Sequence, residues 1–141
     1  MTSRTARAAA AYAALRTAAH VADHWFQTSH QAAHKADEGL KGHVAMAGHI
    51  ASYAGAQAVA LVVVNATLGA GIKPRGIAAA VAFSAATHWF IDRRWPVRKL
   101  AEATGKEGFH GLGGPLGGAY ILDQSAHHLM EGVAAVLAAR Q

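Results

Sequence analysis

The sequence predicts an all-α protein: a four-helix membrane bundle running up-down-up-down, with a short polar or helical segment between helices three and four. Three observations predict it. Apolar runs of helical length recur four times, separated by charged or glycine-bearing breaks, and nothing requires a strand. The longest run, Val44 to Ile72, holds no Lys, Arg, Asp or Glu over 29 residues, where about 20 apolar residues suffice to cross a bilayer. Each run also carries His, Asp or both, close to one of its ends.

Residues 1–141 form one domain by length. The first helix is expected over 6–34, a stretch of good helix formers without Gly or Pro. Its residues His20, Asp23, His24 and Gln27 fall at spacings of three and four, hence on one face. Arg16 interrupts what would otherwise resemble a signal-peptide core, so this segment reads as an uncleaved helix. Lys35 to Gly39 is a charged break, and the second helix is expected over 42–70. Gly69-Ala70-Gly71-Ile72-Lys73-Pro74-Arg75 stops it.

The third helix is expected over 76–95, with Arg93, Arg94 and Trp95 as an interface anchor. Val97 to Phe109 reads as a polar surface helix or loop. The glycine-rich stretch 111–118 lacks a preceding strand and a P-loop lysine, so it reads as a lead-in rather than a phosphate cradle. Pro115 then sits near the first turn of a fourth helix over 116–139. Small residues throughout suit close helix approach in lipid.

Composition narrows the chemistry. The chain is 52% hydrophobic and only 15% charged, against about 25% charged in ordinary soluble domains. With no cysteine, disulfides and thiolate sites are excluded, which leaves His, Asp and Glu as ligands. The net charge of +5 sits at the N-terminus and in the joints between apolar runs, a membrane-loop pattern rather than a nucleic-acid-binding one. Lys35, Lys41, Arg93, Arg94, Arg98, Lys99 and Lys106 flank the end that bears the histidines; Arg4, Arg7, Lys73, Arg75 and Arg140 flank the other. That small excess points to a cytoplasmic face for the site.

In an up-down-up-down bundle the polar groups of the four runs reach one level. His20 to Gln27 end helix one, His43 and His49 begin helix two, His88 and Asp92 close helix three, and Asp123 and His127 open helix four. All fall within a layer about two turns, or about 10 Å, deep. His88-x-x-x-Asp92 and Asp123-x-x-x-His127 each present a nitrogen and an oxygen ligand on one face. The expected metal ligands are His20, Asp23, His49, His88, Asp92, Asp123 and His127, supported by Gln27 and Gln124. Imidazole and carboxylate suit a divalent transition metal, zinc first, then manganese or iron. His30, His34 and His110 read as solvated, while His24 and His128 adjoin better candidates.

The pattern His20-x-x-Asp23-x-x-x-Gln27, a histidine-bearing apolar helix, His88-x-x-Ile91-Asp92 and Leu122-Asp123-Gln124-x-x-His127 resembles a family of small bacterial and phage membrane proteins. That family is catalogued as domain of unknown function 3307, and the likeness spans roughly residues 18 to 130. It implies a multi-pass protein of the bacterial cell membrane marked at His20, Asp23, Gln27, His49, His88, Asp92, Asp123, Gln124 and His127; it implies no established activity. The alanine-rich first helix departs from the pattern. A looser likeness to inner-membrane metal-dependent hydrolases suggests metal-assisted hydrolysis by analogy.

Three functions follow, in this order. The first is hydrolysis of a lipid or other amphiphile at a buried metal site near one membrane face, with Asp23 or His49 as base. The second is a metal-ion or proton carrier, which would need an oligomer to build a pathway. The third is a phage-type structural or membrane-lesion protein in which the histidines are incidental. A soluble four-helix metal bundle ranks behind them. The expected partner is the lipid bilayer, with no nucleic acid.

Overall fold

The structure is a computed structural model and describes residues 3–114 and 116–140. Among these residues the chain forms seven α-helices and a π-helical turn, with no strand. Helix α1 is Arg4–Val21, capped by the Ser3 hydroxyl, which accepts from the Ala6 amide at 3.1 Å. It widens into a π-helical turn over Ala22–Phe26, closed by the Gln27 amide donating to the Ala22 carbonyl at 2.9 Å.

The single helix expected over 6–34 is therefore broken. Gln27 swings to an extended ψ of 124°, and Thr28 caps a new helix, α2, at Ser29–His34. The cause is a reciprocal capping box, Thr28-x-x-Gln31. The Gln31 amide donates to the Thr28 hydroxyl at 3.2 Å, and the Thr28 amide donates to the Gln31 side-chain oxygen at 2.9 Å. In the polar segment after α2, His34 Nδ1 lies 2.8 Å from Asp37 Oδ2, and this hydrogen bond holds the exposed Asp37 carboxyl below its ordinary range.

Helix α3, Gly39–Leu68, starts slightly earlier than expected and stops at Gly69, which adopts the left-handed conformation at φ 58°. Asn65 ties down the following loop, donating to the Ile72 carbonyl at 3.0 Å and accepting from the Ile72 amide at 2.8 Å. Helix α4 is Pro74–Ile91, with the proline in its first turn. It ends four residues before the expected 95, because Arg94 turns to φ 65° and starts α5, Trp95–Ala103. Arg93 and Arg94 donate to the carbonyls of Lys35 and Ala32 at 3.1 and 3.2 Å, so both guanidinium groups cap the end of α2. A short α6, Glu107–His110, precedes α7, Gly118–Ala139. Pro115 lies outside the described residues.

The long helices close a ring. α1 packs on α3 and α7, and α4 packs on the same two. Neighbours run antiparallel: His49 meets His88, Tyr53 meets Ser84, and Asn65 meets Ile72 between α3 and α4. Arg16 meets Glu131, and His24 meets Tyr120, between α1 and α7. At the end of the ring nearest the α3–α4 loop the core is apolar and built mostly from alanine, with Leu15, Leu61 and Ile72 as its large members.

Gly42 marks a close approach near the other end. A Cβ there would collide with the Asp37 carbonyl. Gly42→Ala is expected to cost about 1–3 kcal/mol, the usual range for overpacking. Urea titration in detergent checks it, and an unchanged midpoint would mean the loop yields freely.

Polar and apolar side chains share the interior, where Leu15, Met46 and Leu61 are as buried as the polar groups. His49, Tyr53, Gln57, Ser84, His88 and Glu131 are among the largest fully buried side chains, while Val44, Val59, Val62, Val63, Leu129 and Val136 face outward. Helix α3 alone among the described residues is long and apolar enough to cross a membrane, and only 22% of its most apolar stretch is buried. The four spans expected from the sequence reduce, by length and composition, to that one.

Candidate metal centre

Four atoms from three segments converge where α1 ends, α3 begins and α4 ends. The π-helical turn carries Asp23, a one-residue insertion in the helical register of the kind often found at functional sites. His49 sits in α3; His88 and Asp92 lie one turn apart at the end of α4. His49 Nε2 is 2.9 Å from His88 Nε2, 3.3 Å from Asp23 Oδ1 and 3.2 Å from Asp92 Oδ2. His88 Nε2 is 3.4 Å from Asp23 Oδ1 and 3.0 Å from Asp92 Oδ2.

These distances decide the chemistry. A tetrahedral ion bound at about 2.0–2.2 Å holds its ligand atoms about 3.3–3.6 Å apart. The five distances, 2.9–3.4 Å, are close to such edges. The ligand atoms of Asp23, His49 and His88, like those of His88, Asp92 and His127, lie within 4.8 Å of one another. Asp23 Oδ1 is a buried oxygen without a hydrogen-bond partner, while Asp92 Oδ2 is met by the Lys35 ammonium at 2.6 Å. A buried, unmatched carboxylate oxygen costs free energy unless a cation meets it. The donor set and its spacing both fit a divalent ion.

His88 is oriented by stacking. Its ring lies between Tyr53, at 3.8 Å centroid distance, and His127, at 4.2 Å. The Nδ1 atoms of His49 and His88 are buried without a hydrogen-bond partner, so packing takes the orienting role that an outer hydrogen bond plays in many metal sites.

The remaining expected residues are placed as follows. His127 Nε2 stands 3.5 Å from Asp92 Oδ1 and 3.4 Å from Asp123 Oδ2, beside the first four atoms. Gln27 and Gln124 line the cavity beside the site, each with a buried amide atom, Nε2 and Oε1 respectively, lacking a partner. His20 is not brought to the cluster. It is exposed and takes a contact from Arg16 at 3.1 Å through Nδ1. Asp23 and His49, read from the sequence as bases, sit inside the four-atom set, so an ion there would engage the same lone pairs that a base needs.

Sequence reasoning missed Lys35. Its ammonium lies 2.6 Å from Asp92 Oδ2 and 3.4 Å from His49 Nε2. The break between α2 and α3 delivers it, and no periodicity announces that. An ammonium at this position competes with a metal ion for the same carboxylate. Lys35→Ala is expected to tighten divalent-metal binding by roughly tenfold, about 1.4 kcal/mol. Competition against a chelating dye measures it; unchanged affinity would mean the lysine stands aside.

It missed a second polar layer too. Glu131, one turn beyond His127, is 1% exposed and receives Arg16 at 3.4 Å and the Tyr53 hydroxyl at 3.4 Å; Ser84 lies 3.4 Å from the same hydroxyl. The signal was present: His49, Tyr53 and Gln57, and likewise Ser84, His88 and Asp92, repeat at every fourth position. Arg16→Ala strands the carboxylate and is expected to cost about 3–5 kcal/mol. Arg16→Ala/Glu131→Leu should recover most of it, and thermal unfolding of the two variants checks both.

Beside the cluster opens a cavity of about 760 Å³, whose lining includes Asp23, Asp37, Asp92 and Asp123 together with Lys35, Arg93, Arg94 and Arg98. No family model, curated protein or solved structure matches this chain.

Proposed function

We propose that this protein is an integral membrane hydrolase that uses a divalent transition metal, zinc first, to cleave an amphiphile at the membrane face. One observation supports the reading: the ligand atoms of Asp23, His49 and His88 lie within 4.8 Å of one another, with Asp92 beside them, next to a cavity. A metal held there would polarise a bound oxygen and lower the pKa of water toward neutrality. The chain's own groups do the rest. The cavity lining mixes four carboxylates with Lys35, Arg93, Arg94 and Arg98, and the unpartnered amide atoms of Gln27 and Gln124 offer a polar head group one donor and one acceptor.

The membrane part of the proposal rests on the exposed valines of α3, whose most apolar stretch is only 22% buried, and on the polar groups held inside. Ionisable residues in lipid face the bundle interior and mark function. The likeness to the domain of unknown function 3307 family is part of this same reading. A carrier would need more than one chain, because among the described residues the interior beyond Gln57 is lined by Leu15, Leu61, Ala80 and Ala134. The test is hydrolysis of short-chain and phosphate esters by detergent-purified protein with and without added zinc. Zinc-dependent turnover supports the proposal; zinc uptake without turnover on any ester would return the site to a binding role.

A further inference from the structure

The Asp92 carboxylate faces two ways. Its Oδ2 meets His49 and His88 at 3.2 and 3.0 Å, while its Oδ1 points to His127 Nε2 at 3.5 Å. His127 Nε2 in turn lies 3.4 Å from Asp123 Oδ2. His127 is 3% exposed, and this nitrogen has no hydrogen-bond partner. A buried imidazole nitrogen between two carboxylate oxygens at ligand spacing, with nothing bonded to it, repeats in miniature the arrangement of the first cluster.

We propose that the protein holds two metal ions, bridged by Asp92. The first sits among Asp23, His49, His88 and Asp92 Oδ2, and the second among Asp92 Oδ1, Asp123 Oδ2 and His127 Nε2. This inference rests on the metal reading of the first cluster. The local sequence explains how the pair is built. His88-x-x-x-Asp92 at the end of α4 runs antiparallel to Asp123-x-x-x-His127 in α7, so each helix puts one imidazole and one carboxylate at the same level. Facing helices with inward carboxylates and histidines are an established way to hold two ions in a bundle. A carboxylate shared between ions suits the separation of about 3.5–4 Å found in two-metal sites.

The two positions differ in finish. The first is drawn from His49 and His88, which are fully buried, and the second from His127 and the partly exposed Asp123. Asp123, with its side chain 24% exposed, brings the second position to the cavity. The second ion is therefore the one a head group would reach, and the first is the buried partner that anchors the bridge.

The full chain in detergent is loaded with Mn(II), washed free of excess, and analysed for metal content and for its paramagnetic resonance spectrum. The expected result is two ions per chain with a spin-coupled signal. Asp123→Asn/His127→Gln, which keeps side-chain size, should retain one ion with an uncoupled signal, and His49→Gln/His88→Gln should lose the coupled signal. One uncoupled ion in the wild-type chain would overturn the pair while leaving the first site standing. No ion at all would overturn the metal reading itself. Two uncoupled ions, or two coupled ions retained in Asp123→Asn/His127→Gln, would overturn the Asp92 bridge or the second ligand set.

Discussion

Replacing His88 and Asp92 together with alanine is expected to abolish tight metal binding. Both contribute to the four-atom set, and Asp92 Oδ2 is within 3.2 Å of both imidazole nitrogens. Four-ligand zinc sites release about 10–16 kcal/mol. Losing two of four ligands forfeits roughly half of that, on the order of a 10⁴-fold weakening at 1.4 kcal/mol per tenfold. Metal analysis after washing should find the wild-type chain loaded and the variant empty. Because His88 is stacked between Tyr53 and His127, its loss also leaves a void. Asp92→Asn, which keeps shape and removes charge, separates ligand loss from repacking. His30→Ala/His34→Ala, at residues remote from the cluster, should keep full metal content.

The second large effect concerns the outside of α3. Val59 and Val62 are 63% and 54% exposed. On a soluble bundle such positions tolerate lysine within about 0.5 kcal/mol. In lipid each lysine costs about 2.5–3.5 kcal/mol near a helix centre. Val59→Lys/Val62→Lys is therefore expected to lose roughly 5–7 kcal/mol of membrane stability and to disappear from the membrane fraction. The wild-type chain should stay in that fraction through an alkaline wash. A double variant that accumulates normally, together with a wild-type chain soluble without detergent, would sink the membrane reading.

The helical class was legible because apolar runs and breaks are local signals. The 29-residue uncharged stretch and Gly69 mark α3 without reference to any other segment. The level of the site was legible for a topological reason: antiparallel helices joined by short loops bring the ends of the runs together, so that Asp23, His49 and His88 form one group and His88, Asp92 and His127 another, with Asp123 beside His127. What stayed hidden depends on geometry finer than a periodic pattern. The π-helical turn adds a residue to the register of α1, and the Thr28 cap ends the segment, so Asp23 points inward while His20 lies exposed beside Arg16. Spacing alone had put both on one face.

Lys35 was hidden for a related reason. It stands in a charged break that reads as solvent-facing, yet the turn after α2 folds it onto Asp92. Arg93 and Arg94 look like a membrane anchor in sequence and instead cap α2, holding that turn in place. Glu131 stands four residues after His127, a position that puts it on the same buried stripe. In a chain with this little charge, a polar residue repeating every fourth position along an apolar helix is a mark of the interior.

X-ray absorption at the metal edge of the zinc-loaded, detergent-purified chain tests the central claim most directly. The predicted spectrum has a nitrogen and oxygen shell at about 2.0–2.2 Å, with imidazole outer-shell scattering that disappears in His49→Gln/His88→Gln. A chain that takes up no zinc, or one whose zinc shows no imidazole scattering, would contradict it.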